Sequence, residues 1–262
     1  RVYWLGCFFC FYERPDMNTR TLLNGFDIGF QTTKLTKASD VKTKNSRKYL
    51  FKRTGLNKLF GNGIVKGLTF TLSAERGCGK TTFLLQILEN FKSKNKSKKV
   101  AFISNEESQE QLAEKCKRID VKNVDIGYSN DINDILEMIT GYDFVVIDSF
   151  QGIKGAKEKS IISNLVSTAK KEGCCVGVVV HRTKDNKEKG DSAIGHAVDI
   201  CFHMNVIDSN LTKNKKVCIN ADKNRLGELV YIIMEMTNTG FDIKMTELYF
   251  ENYTPNILKE IF

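Results

Sequence analysis

At 262 residues the chain is long enough for one full-sized globular domain with a small appendage. Hydrophobic residues at 41% and charged residues at 27% exclude general disorder, and no apolar run approaches the roughly 20 residues that a membrane-spanning helix needs. The formal net charge of +9 is concentrated at 34–58, 92–99 and 184–189, which favours a nucleic acid partner over a merely soluble basic surface, because clustered lysines gain affinity for phosphate chains by releasing counterions.

The chain opens with "VYWLGCFFCFY", which is too short and too polar to span a bilayer. Residues 16–53 are rich in Thr, Lys and Ser with weak periodicity and read as a basic linker. From Thr54 the pattern changes. Apolar runs rich in β-branched residues, at 68–73, 99–104, 143–149 and 174–181, alternate with segments of helical period. Strand, helix, strand repetition predicts crossover connections, hence an α/β fold with a mostly parallel twisted sheet flanked by helices. Ser108 and Gln111 form a capping box ahead of "QLAEKCKRI", and Asp131 caps a helix whose stripe is Ile132, Ile135, Leu136 and Ile139. Beyond Ile200 the runs are joined by short polar turns and suit antiparallel strands at the sheet edge. The core is expected over 54–250, with 251–262 as a tail. Cys174, Cys175 and Cys201 lie in apolar runs and read as reduced core residues, which fits a cytoplasmic protein.

The stretch Ala74-Glu75-Arg76-Gly77-Cys78-Gly79-Lys80-Thr81-Thr82 departs by one residue from the phosphate-loop pattern G-x-x-x-x-G-K-[ST]. It sits between an expected strand and an expected helix, the context the motif requires. Backbone N–H groups of the loop and the helix N-terminus would bind the phosphates of ATP, Lys80 would reach the β and γ phosphates, and the Thr81 hydroxyl would ligate Mg²⁺. Ala74 stands where the first glycine is usual, a mild change if its φ is negative. Cys78 reads as a small filler. "FVVIDS" supplies Asp148 as the second Mg²⁺ carboxylate, and "FISNEES" ends a strand with Glu106, the favoured general base, beside Glu107, which also reads as a first-turn charge on the next helix.

These residues resemble the RadA/Sms DNA-repair ATPase family of the RecA-like class. The resemblance runs through "TGLNKLFGNGIVKGLTFTLSAERGCGKTTFLLQ", "FISNEESQEQLAEKCKRI", "VVIDS", "HRTK", "KNRLG" and "MEMTNTGF", segments spread from 54 to 241 across most of the chain. It implies a RecA-like ATPase core and a motor that forms a homo-oligomeric, hexameric ring on single-stranded or branched DNA, acts in recombination and repair, and works beside a RecA-type recombinase. Lys223 and Arg225 of KNRLG, where Leu226 replaces the usual aromatic residue, would then reach the γ-phosphate of the neighbouring subunit; on sequence alone "DKNRLGE" is a charged turn. His181 and Lys184 match the family's H-x-T-K segment, where the strand end would sense the γ-phosphate. Two loops would face DNA, 151–160 with Lys154, Lys157 and Lys159, and 183–196 with Lys184, Lys187 and Lys189, through phosphate contacts without aromatic stacking.

The pattern also departs from the family. Cys7 and Cys10 in "WLGCFFC" correspond to half of its zinc ribbon, so residues 1–15 read as a remnant that would hold Zn²⁺ only with an upstream cysteine pair. The family's Lon-like C-terminal domain has no counterpart before Phe262. The alternatives are a DnaB-like replicative helicase and a KaiC-like ATP-dependent oligomeric switch that does not translocate DNA.

Overall fold

The computed structural model describes residues 37–40, 47–74, 77–181, 192–208 and 215–250. The chain divides into two compact units, 1–44 and 45–262. In the first, the described residues form a 3-10 turn at Ala38–Asp40. The second carries the sheet.

Nine strands make that sheet: β1 (Thr69–Ala74), β2 (Val100–Ser104), β3 (Asp125–Tyr128), β4 (Phe144–Asp148), β5 (Cys175–His181), β6 (Ile200–Asp208), β7 (Lys215–Asn224), β8 (Val230–Thr237) and β9 (Gly240–Phe250), in the order β3-β2-β4-β5-β1-β6-β7-β8-β9. The six from β3 to β6 in that order run parallel, and β7, β8 and β9 are antiparallel. The helices are α1 (Thr54–Leu59), α2 (Lys80–Lys94), α3 (Gln109–Arg118), α4 (Ile132–Ile139), α5 (Glu158–Glu172) and α6 (Ser192–Ala197).

The apolar runs are continuous because both faces of the central strands are covered. Alternate residues divide between two cores, as the two-residue repeat of a strand requires. Phe70, Leu72, Phe102, Phe144 and Val146 pack with α1, α2 and α3 on one face, and Ile103, Val145, Ile147, Val176 and Val178 with α4 and α5 on the other. Phe60, Phe70 and Phe202 meet edge-on at 5.1–5.6 Å between ring centroids, a geometry that adds to their burial.

The expected helix starts are present. Ser108 Oγ accepts from the Gln111 amide while Gln111 Oε1 accepts from the Ser108 amide, and Asp131 Oδ1 accepts from the Asn133 amide. Three expectations require correction. Residues 47–53, grouped with the linker on composition, pack on the core: Tyr49 bridges Ile64, and the buried Phe51 ring lies 5.1 Å from Phe60 and 5.8 Å from Phe91. The first strand after Ile200 is not antiparallel to its inner neighbour, because β6 joins β1 in parallel and antiparallel pairing begins between β6 and β7. The loop expected over 151–160 becomes helix at Glu158, which puts Lys157 at the N-cap of α5 and Lys159 in its first turn. Among the described residues no helix is long and apolar enough to cross a membrane.

Candidate nucleotide site

The strand β1 delivers the glycine loop to the start of α2. Ala74 ends β1 inside the sheet, paired with His181 of β5 and Met204 of β6, and is buried. Among the described residues only Asn62 and Asp120 are non-glycines with positive φ, so the Ala74 methyl group carries no left-handed strain. Gly79 is the N-cap of α2 at φ 83°, in the left-handed region that glycine alone enters without strain. A Cβ there would also lie 3.0 Å from Met236 and 3.1 Å from Phe241. No side chain caps α2 and its first turn holds no acid, so its N–H groups and the positive end of its dipole are left for an anion. Cys78 is fully buried among core residues, Lys80 and Thr81 are half-buried, and Thr82 is buried. Glu75 and Arg76 lie outside the described residues.

Three parallel strands end beside this loop, at the carboxyl edge where open α/β sheets gather ligands. Thr81 Oγ1 donates to Asp148 Oδ2 at 2.9 Å. Asp148 is buried, and burial raises its carboxyl above the usual range; the Thr81 hydrogen bond opposes the rise, the Glu106 and Glu107 carboxylates add to it, and Lys80 counters it. A hydroxyl and a carboxylate brought together under an uncapped helix are an oxygen donor set of the kind Mg²⁺ requires. Glu106 follows β2 and is partly exposed. Its Oε1 accepts from Ser149 Oγ at 2.7 Å and meets His181 Nε2 at 3.0 Å. Ligand atoms of Glu106, Asp148 and His181 all lie within 4.8 Å of one another. Glu107 is tied down differently, with Lys115 Nζ 2.7 Å from each carboxylate oxygen.

Residues outside the expected set build this arrangement. Ser104 Oγ accepts from the amides of Glu106 and Glu107 and so fixes the turn that presents both acids. Asn105 grips the Ser149 backbone at both ends, accepting from its N–H at 3.0 Å and donating to its C=O at 2.7 Å. Gln151 Oε1 accepts from the His181 amide at 3.1 Å. The available signal was position: Ser149 directly follows the strand-ending Asp148, and Asn105 directly precedes Glu106.

Lys223 and Arg225 are held within their own chain. Lys223 Nζ donates to the carbonyls of Gly195, His196 and Val198 at 2.7, 3.1 and 2.6 Å, and burial, followed by the Arg225 charge, lowers its pKa. Arg225 donates from Nη2 to the His196 carbonyl at 3.0 Å and lies 3.5 Å from Asp199 Oδ1. Asp199 in turn accepts from the Thr69 amide and hydroxyl at 3.0 Å, which ties the basic turn to the first residue of β1. Gly227 has a packing reason: a Cβ there would stand 2.7 Å from the Cα of Gly61. Lys154, Lys157 and Lys159 are exposed, and the backbone of Lys154 forms an isolated parallel β-bridge with that of Asp131. Lys184, Lys187 and Lys189, like Cys7 and Cys10, lie outside the described residues.

Similarity to known proteins follows the same outline. A family model described as KaiC ATPase matches residues 53–141. The chain is 30% identical over 224 residues to the DNA repair protein RadA of Rickettsia felis, covering 78% of this chain and 48% of that one. It is 25% identical over 258 residues to RadA of Campylobacter jejuni (90% and 56%) and 26% identical over 232 residues to RadA of Listeria monocytogenes (83% and 50%). The chain thus spans about half the length of the relatives it matches. A KaiC-like protein from the archaeon Pyrococcus horikoshii superposes with a TM-score of 0.62 at 17% identity, over 78% of this chain and 99% of that one, a likeness of fold.

Proposed function

From the premise that this chain carries a RadA/RecA-like ATPase core, we propose that it hydrolyses ATP and couples turnover to single-stranded or branched DNA in recombination and repair. The observation that supports this most is the meeting of Thr81, Asp148, Glu106 and His181 at the head of an uncapped helix.

In this reading the loop from Ala74 to Thr82 wraps the phosphates, with Gly77 and Gly79 allowing close backbone approach and Lys80 pairing with the β and γ phosphates. Thr81 and Asp148 would hold Mg²⁺, which would supply neutralisation of the phosphate charge. Glu106 is the general base. Its Oε1 is already engaged by Ser149 and His181, so Oε2 is the oxygen that accepts the proton from the attacking water. His181 ends β5 beside Ala74 and starts the 183–196 segment, which suits it to carry the state of the nucleotide toward the DNA-facing lysines 154, 157, 159, 184, 187 and 189. Lys223 and Arg225 serve the adjacent subunit of a ring, exchanging their contacts with the α6 carbonyls for phosphate oxygens when a neighbour's nucleotide arrives. The ATPase domain extends to about residue 250, and zinc at Cys7 and Cys10 requires a further cysteine pair. The KaiC-like similarity favours a second reading, an ATP-dependent oligomeric switch that does not move on DNA.

The ATPase rate with and without single-stranded DNA, with Lys80→Ala as control, separates the two. Stimulation that Lys80→Ala abolishes supports the motor, and an unchanged rate supports the switch. Mixing Arg225→Ala with Glu106→Gln subunits tests the shared site: partial recovery of hydrolysis is expected, and no recovery at any ratio counts against it.

A further inference from the structure

The nucleotide pocket contains a mixed imidazole and carboxylate donor set of which the proposed magnesium site uses only Asp148. Magnesium takes oxygen ligands and keeps several waters, which the Thr81–Asp148 pair satisfies. Beside it stand an imidazole and a second carboxylate. Atoms of Glu106, Asp148 and His181 lie within 4.8 Å of one another, and ligands about 2.0–2.2 Å from a shared first-row ion stand roughly 3–4.4 Å apart. A shift of a few tenths of an ångström closes the set. The three come from the ends of three strands, β2, β4 and β5, whose spacing the sheet fixes.

We propose that in the nucleotide-free chain Glu106, Asp148 and His181 form a binding site for a divalent first-row transition ion, distinct from the magnesium position because it takes His181 Nε2 and Glu106 and leaves out the Thr81 hydroxyl. Mixed imidazole and carboxylate donors suit such ions and not magnesium. The ion enters between His181 Nε2 and Glu106 Oε1, which now face each other at 3.0 Å. Ser149 Oγ already donates to Glu106, as outer partners of a ligating carboxylate do, and Gln151 Oε1 accepts from the His181 main-chain N–H, which fixes the end of β5 that carries the imidazole. The cleft is open to the ion, since the His181 and Glu106 side chains are 39% and 44% exposed. The site shares Asp148 with magnesium and Glu106 with the proposed base, so the ion and the hydrolytic state exclude each other. The chain then has a metal-occupied resting form that nucleotide with magnesium must displace.

The inference rests on the ATPase reading only for that last consequence; the site itself is tested without nucleotide. The whole chain is titrated with Mn²⁺ in the presence of excess Mg²⁺, followed by electron paramagnetic resonance, and bound Mn²⁺ is examined by electron spin-echo modulation for directly coordinated ¹⁴N. One Mn²⁺ per chain with nitrogen modulation is expected. In His181→Ala the modulation is lost and binding weakens by at least about tenfold, the lower end of what loss of even an outer partner costs. Glu106→Gln weakens binding and keeps the modulation, which guards against His181→Ala having lost its fold. Bound Mn²⁺ without nitrogen modulation, or modulation that survives His181→Ala, overturns the site. Neither outcome bears on whether the chain hydrolyses MgATP.

Discussion

The two halves of the sheet divide the work. In the parallel half, β2, β4 and β5 run the same way, so their last residues arrive at one edge and Glu106, Asp148 and His181 meet there. In the antiparallel half successive strands end at opposite edges and, among the described residues, gather no such cluster of three ligands; the β8–β9 hairpin instead braces α2. Gln86 on α2 treats Phe241 as a strand neighbour, accepting from its N–H at 2.8 Å and donating to its C=O at 3.3 Å. Phe83 meets the Phe241 ring at 90° and 6.0 Å. Parallel order makes chemistry, and antiparallel order holds it in place.

This division can be broken from either side. Glu106→Gln removes the proposed base from the parallel half, and we expect turnover to fall by about 10²–10⁴-fold with the thermal midpoint little changed, measured by phosphate release and calorimetry. Phe241→Ala attacks the brace. Loss of a buried aromatic costs about 3–5 kcal/mol, visible in chemical denaturation, and nucleotide affinity drops through the loosened α2. If Phe241→Ala instead lowered turnover with stability intact, the hairpin would belong to the chemistry. Ser149→Ala leaves Glu106 one donor fewer; a loss of roughly tenfold in kcat is expected, about the value of a hydrogen bond to a charged group.

In stability, Asp148→Asn gives a smaller effect than Phe241→Ala and the most direct reading of charge. The folded-state pKa of Asp148 is raised, chiefly by burial, so its contribution to stability is present below the unfolded pKa and lost as pH rises through the folded value. At neutral pH the buried carboxylate therefore destabilises the nucleotide-free chain. The asparagine variant should melt higher than the parent chain at pH 7 in a thermal scan, with the gain vanishing at acid pH.

Much of this was legible in the sequence where burial is two-sided. Strands β1, β2, β4 and β5 announce themselves as continuous apolar runs because helices cover both faces, and Ser108 and Asp131 mark helix starts through local hydrogen bonds that depend on few residues. β3 escaped because four residues, "DIGY", at a partly exposed edge carry no run. The start of α5 was hidden in a lysine-rich stretch that resembles a loop. β6 was misjudged because alternation reports a strand and says nothing of its direction. The strand–loop–helix context of 74–82, and the placing of Asp148 and Glu106 beside it, were legible through spacing. The carbonyls that hold Lys223 and Arg225 were not, since a backbone oxygen more than 20 residues away leaves no trace in residue identity.

Gln86 gives the hairpin a further consequence. A single amide bound at both ends to the main chain of Phe241 acts as a rivet: any slide or tilt of α2 in the proposed nucleotide cycle would drag the tip of β8–β9 along. That tip, at Asn238 and Thr239, is exposed. Whatever grips it from outside would feel each filling and emptying of the pocket as a mechanical stroke.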